Sequence, residues 1–137
     1  YIIPLGKADI KRKGKDVTIV TFSRPLFASL EAANILAQDG IDAEVIDLRT
    51  ISPLDETAIL ESVKKTGRLV VVDESNPRCS LALEIGGLAA EKAFYNLKSP
   101  IGYVTSRHTH VPYSPVLEHF YAPNTERIVQ AVKDISI

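Results

Sequence analysis

The apolar positions of this chain fall into two kinds of run that take turns along its length. "VTIVTF" (17–22), "AEVIDL" (43–48), "RLVVVD" (68–73) and "IGYVT" (101–105) are short, rich in β-branched residues and nearly continuous, as strands buried on both faces are. Between them, apolar residues return at three- and four-residue spacing. Leu26, Leu30, Ala33 and Leu36/Ala37 form one such set, Ile59, Leu60 and Val63 a second, and Leu81, Ile85, Leu88, Ala89 and Ala93 a third. A fourth gathers Ile128, Val129 and Val132 near the end. That spacing puts each set on one face of a helix.

The punctuation agrees with this reading. Ser23 is expected to cap the first helix, with Pro25 in its first turn and Gly40 as its stop. Pro53 breaks the chain before Asp55 caps the second helix, which ends at Gly67. The lead-in, residues 1–16, carries Lys11, Arg12, Lys13 and Lys15 around Gly14 and reads as a solvated hairpin feeding the first strand. Strands alternating with helices of this length give an α/β fold. The expected form is one domain over 1–137, a three-layer α/β/α sandwich around a mostly parallel sheet of about five strands.

Composition narrows the partners. Sixteen basic residues against seventeen acidic leave a formal charge of −1, so no net field favours nucleic acid or an anionic membrane. No apolar run approaches the roughly 20 residues of a membrane span. A single cysteine, Cys79, fits a reducing compartment such as the cytoplasm. The chain has no methionine, and we expect it to be a piece of something longer.

In such a sheet, ligands bind outside the carboxyl ends of the strands. The rim there is Ser23, Arg24, Asp47, Arg49, Asp73, Glu74 and the loop "SRHTHVPYSP" (106–115). The chemistry on it is thin. No glycine-rich nucleotide fingerprint follows any strand, and Gly86-Gly87 lies inside a helical pattern, where close helix packing is the expectation. Asp73 ends a strand as a receiver-type phosphoacceptor does, but the first strand ends Thr21-Phe22-Ser23 without the acidic pair that would hold Mg²⁺, so Asp73-Glu74 reads as a solvated strand end. Cys79 has no neighbouring histidine to serve as its base. His108 and His110 lack a third metal ligand, and Arg107 beside them opposes a cation, so the loop, its backbone fixed by Pro112 and Pro115, reads as a shaped connector. No catalytic, cofactor-binding or metal-binding residue is expected. A free-standing domain binding a small anion through Arg24, Arg49 and Arg78 is the alternative.

"GKDVTIVTFS", "IDAEVIDLRTISPLD", "VKKTGRLVVVDE" and "VPYSPVLEHFYAPNTERIVQAVKDI" together resemble the C-terminal, transketolase-C-type domain of β-subunits of thiamin-diphosphate-dependent 2-oxo acid dehydrogenases. "DESNPRCS" with "HTHVPYSPVLE" is most similar to the acetoin dehydrogenase branch. The resemblance implies an assembly and docking domain, partnered by an α-subunit, a second β-subunit and a lipoyl acyltransferase. Thiamin diphosphate and Mg²⁺ would then be held by other domains, and the isolated piece would be inactive. In pyruvate-type relatives a basic subunit-binding domain of the acyltransferase meets an aspartate in an L-D-A-P segment and the terminal carboxylate. Here Leu97-Lys98-Ser99-Pro100 stands in that place, which makes Lys98 and Ile137 the implied docking residues.

Overall fold

The computed structural model describes residues 1–136. Five strands form one sheet: β1 (Asp9–Arg12), β2 (Val17–Thr21), β3 (Ala43–Asp47), β4 (Leu69–Asp73) and β5 (Gly102–Thr105). Their spatial order is β1-β3-β2-β4-β5. Four strands run parallel, and β1 alone is antiparallel, on the outer edge of β3. Every residue of β2 and β4 is buried, which is why their sequences are continuous rather than alternating.

Helices cover both faces. α1 (Pro25–Gln38) and α5 (Thr125–Ile135) pack on one, where Val17, Ile19, Val45, Val70 and Val104 meet Ala33, Leu36, Ile128 and Val132. α2 (Glu56–Thr66) and α3 (Leu81–Lys92) pack on the other, where Val20, Ile46, Leu69 and Val71 meet Ile59, Val63, Ile85 and Ala89. Asp55 caps α2 by accepting the Ala58 N–H, and Gly67 ends it with φ of 74°. Gly86 is needed for the close approach of α3 to β5, because a Cβ there would lie 1.9 Å from the Tyr103 hydroxyl.

Three expectations are corrected. The lead-in makes no hairpin with β2, whose two sides are already taken by β3 and β4. Its turn instead presses Gly14 onto the backbone of Ala43 and Glu44, where a Cβ would come within 2.3 Å, and β1 continues to the free edge of β3. Ser23 does not cap α1. It is a left-handed residue (φ 60°) before Arg24, which takes the N-cap position without a side-chain bond. Asp73 is not solvated. At 1% exposure it accepts the N–H groups of Ser75 and Ala82, tying β4 to the start of α3. A short helix, α4 (Pro115–Tyr121), and a 3-10 turn at Phe94–Asn96 appear where the hydrophobic pattern gave no element.

Candidate functional site

At the carboxyl edge, strands β2, β3 and β4 are each followed by a non-glycine residue in left-handed backbone: Ser23, Arg49 and Cys79. The candidate anion ligands do not converge there. Arg49 turns to the outer edge and pairs with Asp9 on β1 at 2.5 Å. Arg24 reaches Glu118 at 3.6 Å, and Arg78 lies exposed in the connection after β4.

Arg49 has a different job, shared with the connector that carries it. Thr50 Oγ1 accepts the Gly6 N–H, Asp55 Oδ2 accepts the Ala8 N–H, and Arg49 holds Asp9, so the segment Asp47–Asp55 grips the lead-in at successive points. Lys11 bonds the same carboxylate, and with Arg49 it holds Asp9 below the usual carboxylate range. Sequence reasoning singled out this connector as a motif but did not find its grip on residues 6–9. A polar residue at each end of a proline turn was the available signal.

Between the ends of β2 and β4, where the strand order reverses, an open cleft of about 690 Å³ is lined by Arg24, Phe27, Glu31, Glu74, His119 and Glu126 among others. This is the position at which open α/β sheets bind ligands. Its walls are already cross-linked: Thr125 Oγ1 donates to Glu31 at 2.9 Å, and His119 Nε2 lies 3.9 Å from Glu126.

The histidine loop is anchored by its neighbours rather than by its imidazoles. Ser106 Oγ donates to the Glu74 carbonyl, and Arg107 donates to the Phe120 carbonyl while its guanidinium stacks 3.8 Å from the Phe120 ring centroid. Arg127 locks the base of the loop by donating to the carbonyls of Thr105 and Ala122, and burial holds its pKa below the ordinary arginine value. His108 and His110 stay exposed on the rim.

The helix that follows is turned the wrong way for a core element. Of α4 only Tyr121 is buried, while Val116 (78% exposed), Leu117 (54%) and Phe120 (58%) face outward. Val111, Tyr113 and Phe27 add exposed apolar surface beside them. A patch of this kind marks an interaction surface.

The opposite edge holds Lys98. Its backbone N–H donates to the Gly67 carbonyl, and its aliphatic stem lies across Gly67, where a Cβ would meet it at 2.7 Å. Nearby, Arg68 Nε donates to the Ile135 carbonyl, bringing the end of α5 to the same edge. Ile137 lies outside the described residues.

The carboxyl edge does not fit a diphosphate and its magnesium ion. Both oxygens of Asp73 are taken by backbone N–H groups, Asp47 accepts the Arg49 N–H, and the loops present side chains rather than glycines. Among the described residues no group of three or more His, Cys, Asp or Glu side chains is placed to hold a metal.

Residues 6–128 match the family model described as the transketolase C-terminal domain. The chain is 51% identical over 135 residues to the acetoin:2,6-dichlorophenolindophenol oxidoreductase subunit beta of Bacillus subtilis (strain 168), covering 98% of this chain and 40% of that protein. It is 45% identical over 136 residues to the mitochondrial pyruvate dehydrogenase E1 component subunit beta of Dictyostelium discoideum, covering 99% of this chain and 38% of that protein. A solved split-gene transketolase, an inactive β4 tetramer, superposes with a TM-score of 0.75 at 29% identity, covering 98% of this chain and 42% of that one. The chain thus spans about two fifths of the length of these relatives.

Proposed function

The chain belongs to the family of transketolase C-terminal domains, and we propose that it serves as the assembly and docking domain of the β-subunit of a thiamin-diphosphate-dependent dehydrogenase complex. The reaction of that complex is oxidative cleavage of acetoin or a 2-oxo acid, with transfer of the acyl unit to lipoamide. The cofactor and its Mg²⁺ belong to other parts of the enzyme, and this domain alone is inactive. Its partners are an α-subunit, a second β-subunit and the lipoyl acyltransferase, with no nucleic acid or membrane among them. Lys98 and Ile137 belong to the acyltransferase docking surface, and the setting is the cytoplasm or an equivalent reducing compartment.

The observation that carries this reading is the outward-facing apolar surface of α4, with Val116, Leu117 and Phe120 beside Val111 and Tyr113. The chain spans two fifths of relatives named as subunits, and in an assembly of that kind the rest of the subunit or a partner would cover such a face.

The test uses the open reading frame that encodes this chain, expressed with its partner subunit and with Leu117→Asp and Phe120→Asp together. The variant should elute as smaller species by size-exclusion chromatography with light scattering, while the 137-residue chain carrying the same changes keeps its melting temperature. Titration calorimetry should show no binding of thiamin diphosphate to the 137-residue chain. An intact assembly in the variant, or micromolar cofactor binding by the chain, refutes the reading.

A further inference from the structure

The amino ends of the parallel strands make a second edge, and it carries cations without a carboxylate partner among the described residues. Around it Arg12 pairs with Asp42, Lys65 with Glu44 and Lys133 with Asp39. Lys13, Lys15, Lys64, Arg68 and Lys98 have no such partner among the described residues. They come from separate segments joined by direct contacts. Lys98 crosses Gly67, and Arg68 donates to the Asp16 carbonyl beside Lys15. Lys13 and Lys15 flank Gly14, whose N–H reaches the Glu44 carboxylate that also holds Lys65. Besides the paired Asp42, Glu44 and Asp39, three carboxylates lie near. Asp16 accepts the Asp42 N–H, Gln130 donates to Asp134, and Glu61 lies one turn before Lys65 on α2.

Two of these cations are held in place before any partner arrives. Arg68 is part-buried and fixed by two carbonyls, one through Nε and one through Nη1, and among the described residues Nη2 has no partner. Lys98 is fixed by its backbone bond to Gly67 and by the stem packed over it. Such groups lose little freedom on binding and make good anchors.

We propose that this edge docks an acidic segment of a partner protein, with Arg68 and Lys98 as anchors and Lys13, Lys15 and Lys64 as the rim that steers it. The inference rests on the reading of the chain as a docking domain and specifies the charge of what docks. The neighbouring helices favour spaced carboxylates over a phosphate backbone. α1, α2, α3 and α5 all end at this edge, and their carboxyl-end dipoles weigh against any anion, the more so the denser its charge, so the side-chain cations must supply the attraction. Lysines dominate the rim, and they act as point charges rather than as bidentate phosphate forks.

The test titrates a fluorescein-labelled synthetic peptide, with glutamate at every other position, against the 137-residue chain by fluorescence anisotropy. Saturable binding is expected, weakened about tenfold by Lys64→Glu with Lys98→Glu. Arg78→Glu, at the opposite edge, should leave it unchanged. Added salt should weaken the wild type more steeply than the double variant. All three positions are exposed, and far-UV circular dichroism checks that the variants fold. No saturable binding, an equal loss from Arg78→Glu, or displacement of the peptide by phosphatidylglycerol vesicles or single-stranded DNA more readily than by unlabelled peptide would each overturn the proposal. Failure here with the α4-dependent assembly intact refutes the acidic partner alone. Loss of that α4 result refutes the parent reading.

Discussion

Glu44→Gln is the informative perturbation of the edge that carries Lys98, because Glu44 sits beneath it at 1% exposure with all its partners visible. Its carboxylate accepts from the Gly14 N–H, from Ser62 Oγ at 2.6 Å and from Lys65 Nζ. Behind Ser62 stands a hydroxyl chain, Thr18 at 2.7 Å from Ser62 and 2.8 Å from Thr66. Each hydroxyl has one proton, so the carboxylate sets the direction: Thr66 donates to Thr18, Thr18 to Ser62 and Ser62 to Glu44. Glutamine can put its carbonyl toward Gly14 and Lys65 and its NH₂ toward Ser62. The chain then reverses and ends on the Arg68 carbonyl, 3.1 Å from Thr66 Oγ1. Every group keeps a partner and only the charge is lost. Since Lys65 is half exposed, that loss amounts to about 1–2 kcal/mol. Glu44→Ala leaves Gly14 unpaired and opens a cavity, costing about 3–4 kcal/mol.

Thr18→Val separates this account from simple loss of contacts. In the wild-type background Ser62 still donates to Glu44 and Thr66 turns its proton to the Arg68 carbonyl, so the change costs under about 1 kcal/mol. In the Glu44→Gln background the Ser62 proton has no acceptor, and the same change costs about 2 kcal/mol. Burial alone would raise the Glu44 pKa, but the bonds from Lys65, Ser62 and Gly14 bring it below the ordinary value. A group with a depressed folded pKa stabilises the fold above its unfolded pKa of about 4.3, and that contribution fades as pH falls through the folded value. The deficit of Glu44→Gln should therefore be full at neutral pH and shrink in acid. Urea unfolding followed by circular dichroism at both pH values measures all of this. Additivity of the two substitutions within about 0.5 kcal/mol, or a deficit that does not change with pH, refutes the hydroxyl relay.

Replacing His108 and His110 together with Asn should leave the melting temperature insensitive to stoichiometric Zn²⁺, as it should be in the wild type; a rise of several degrees in the wild type alone would show a metal site on the loop. Gly86→Ala should destabilise by about 1–2 kcal/mol, because Tyr103, part-exposed, must swing aside to admit the methyl, and adding Tyr103→Phe should recover only part of the loss, since two ring carbons would still lie 2.7 and 2.9 Å from the new Cβ.

The hydrophobic pattern was enough to specify the sandwich. Continuous β-branched runs that alternate with helical stripes suit strands buried between two helical layers, and Asp55, Gly67 and the α2, α3 and α5 stripes act within a few residues of themselves, where sequence is legible. The transketolase-type connector was also visible as a motif. What it does was not, because its partners, Gly6, Ala8 and Asp9, lie 40 or more residues away and meet it only once β1 has found the edge of β3. The same physics hid the burial of Asp73, which depends on where α3 begins, and the outward turn of α4, whose apolar residues look like core in a linear reading. It also hid the cationic edge, since Lys13, Lys64, Arg68 and Lys98 become neighbours only when parallel strands bring the carboxyl termini of α1, α2, α3 and α5 to one side. Periodicity decides which face of an element is buried; only the packing of distant elements decides which charges remain without a partner.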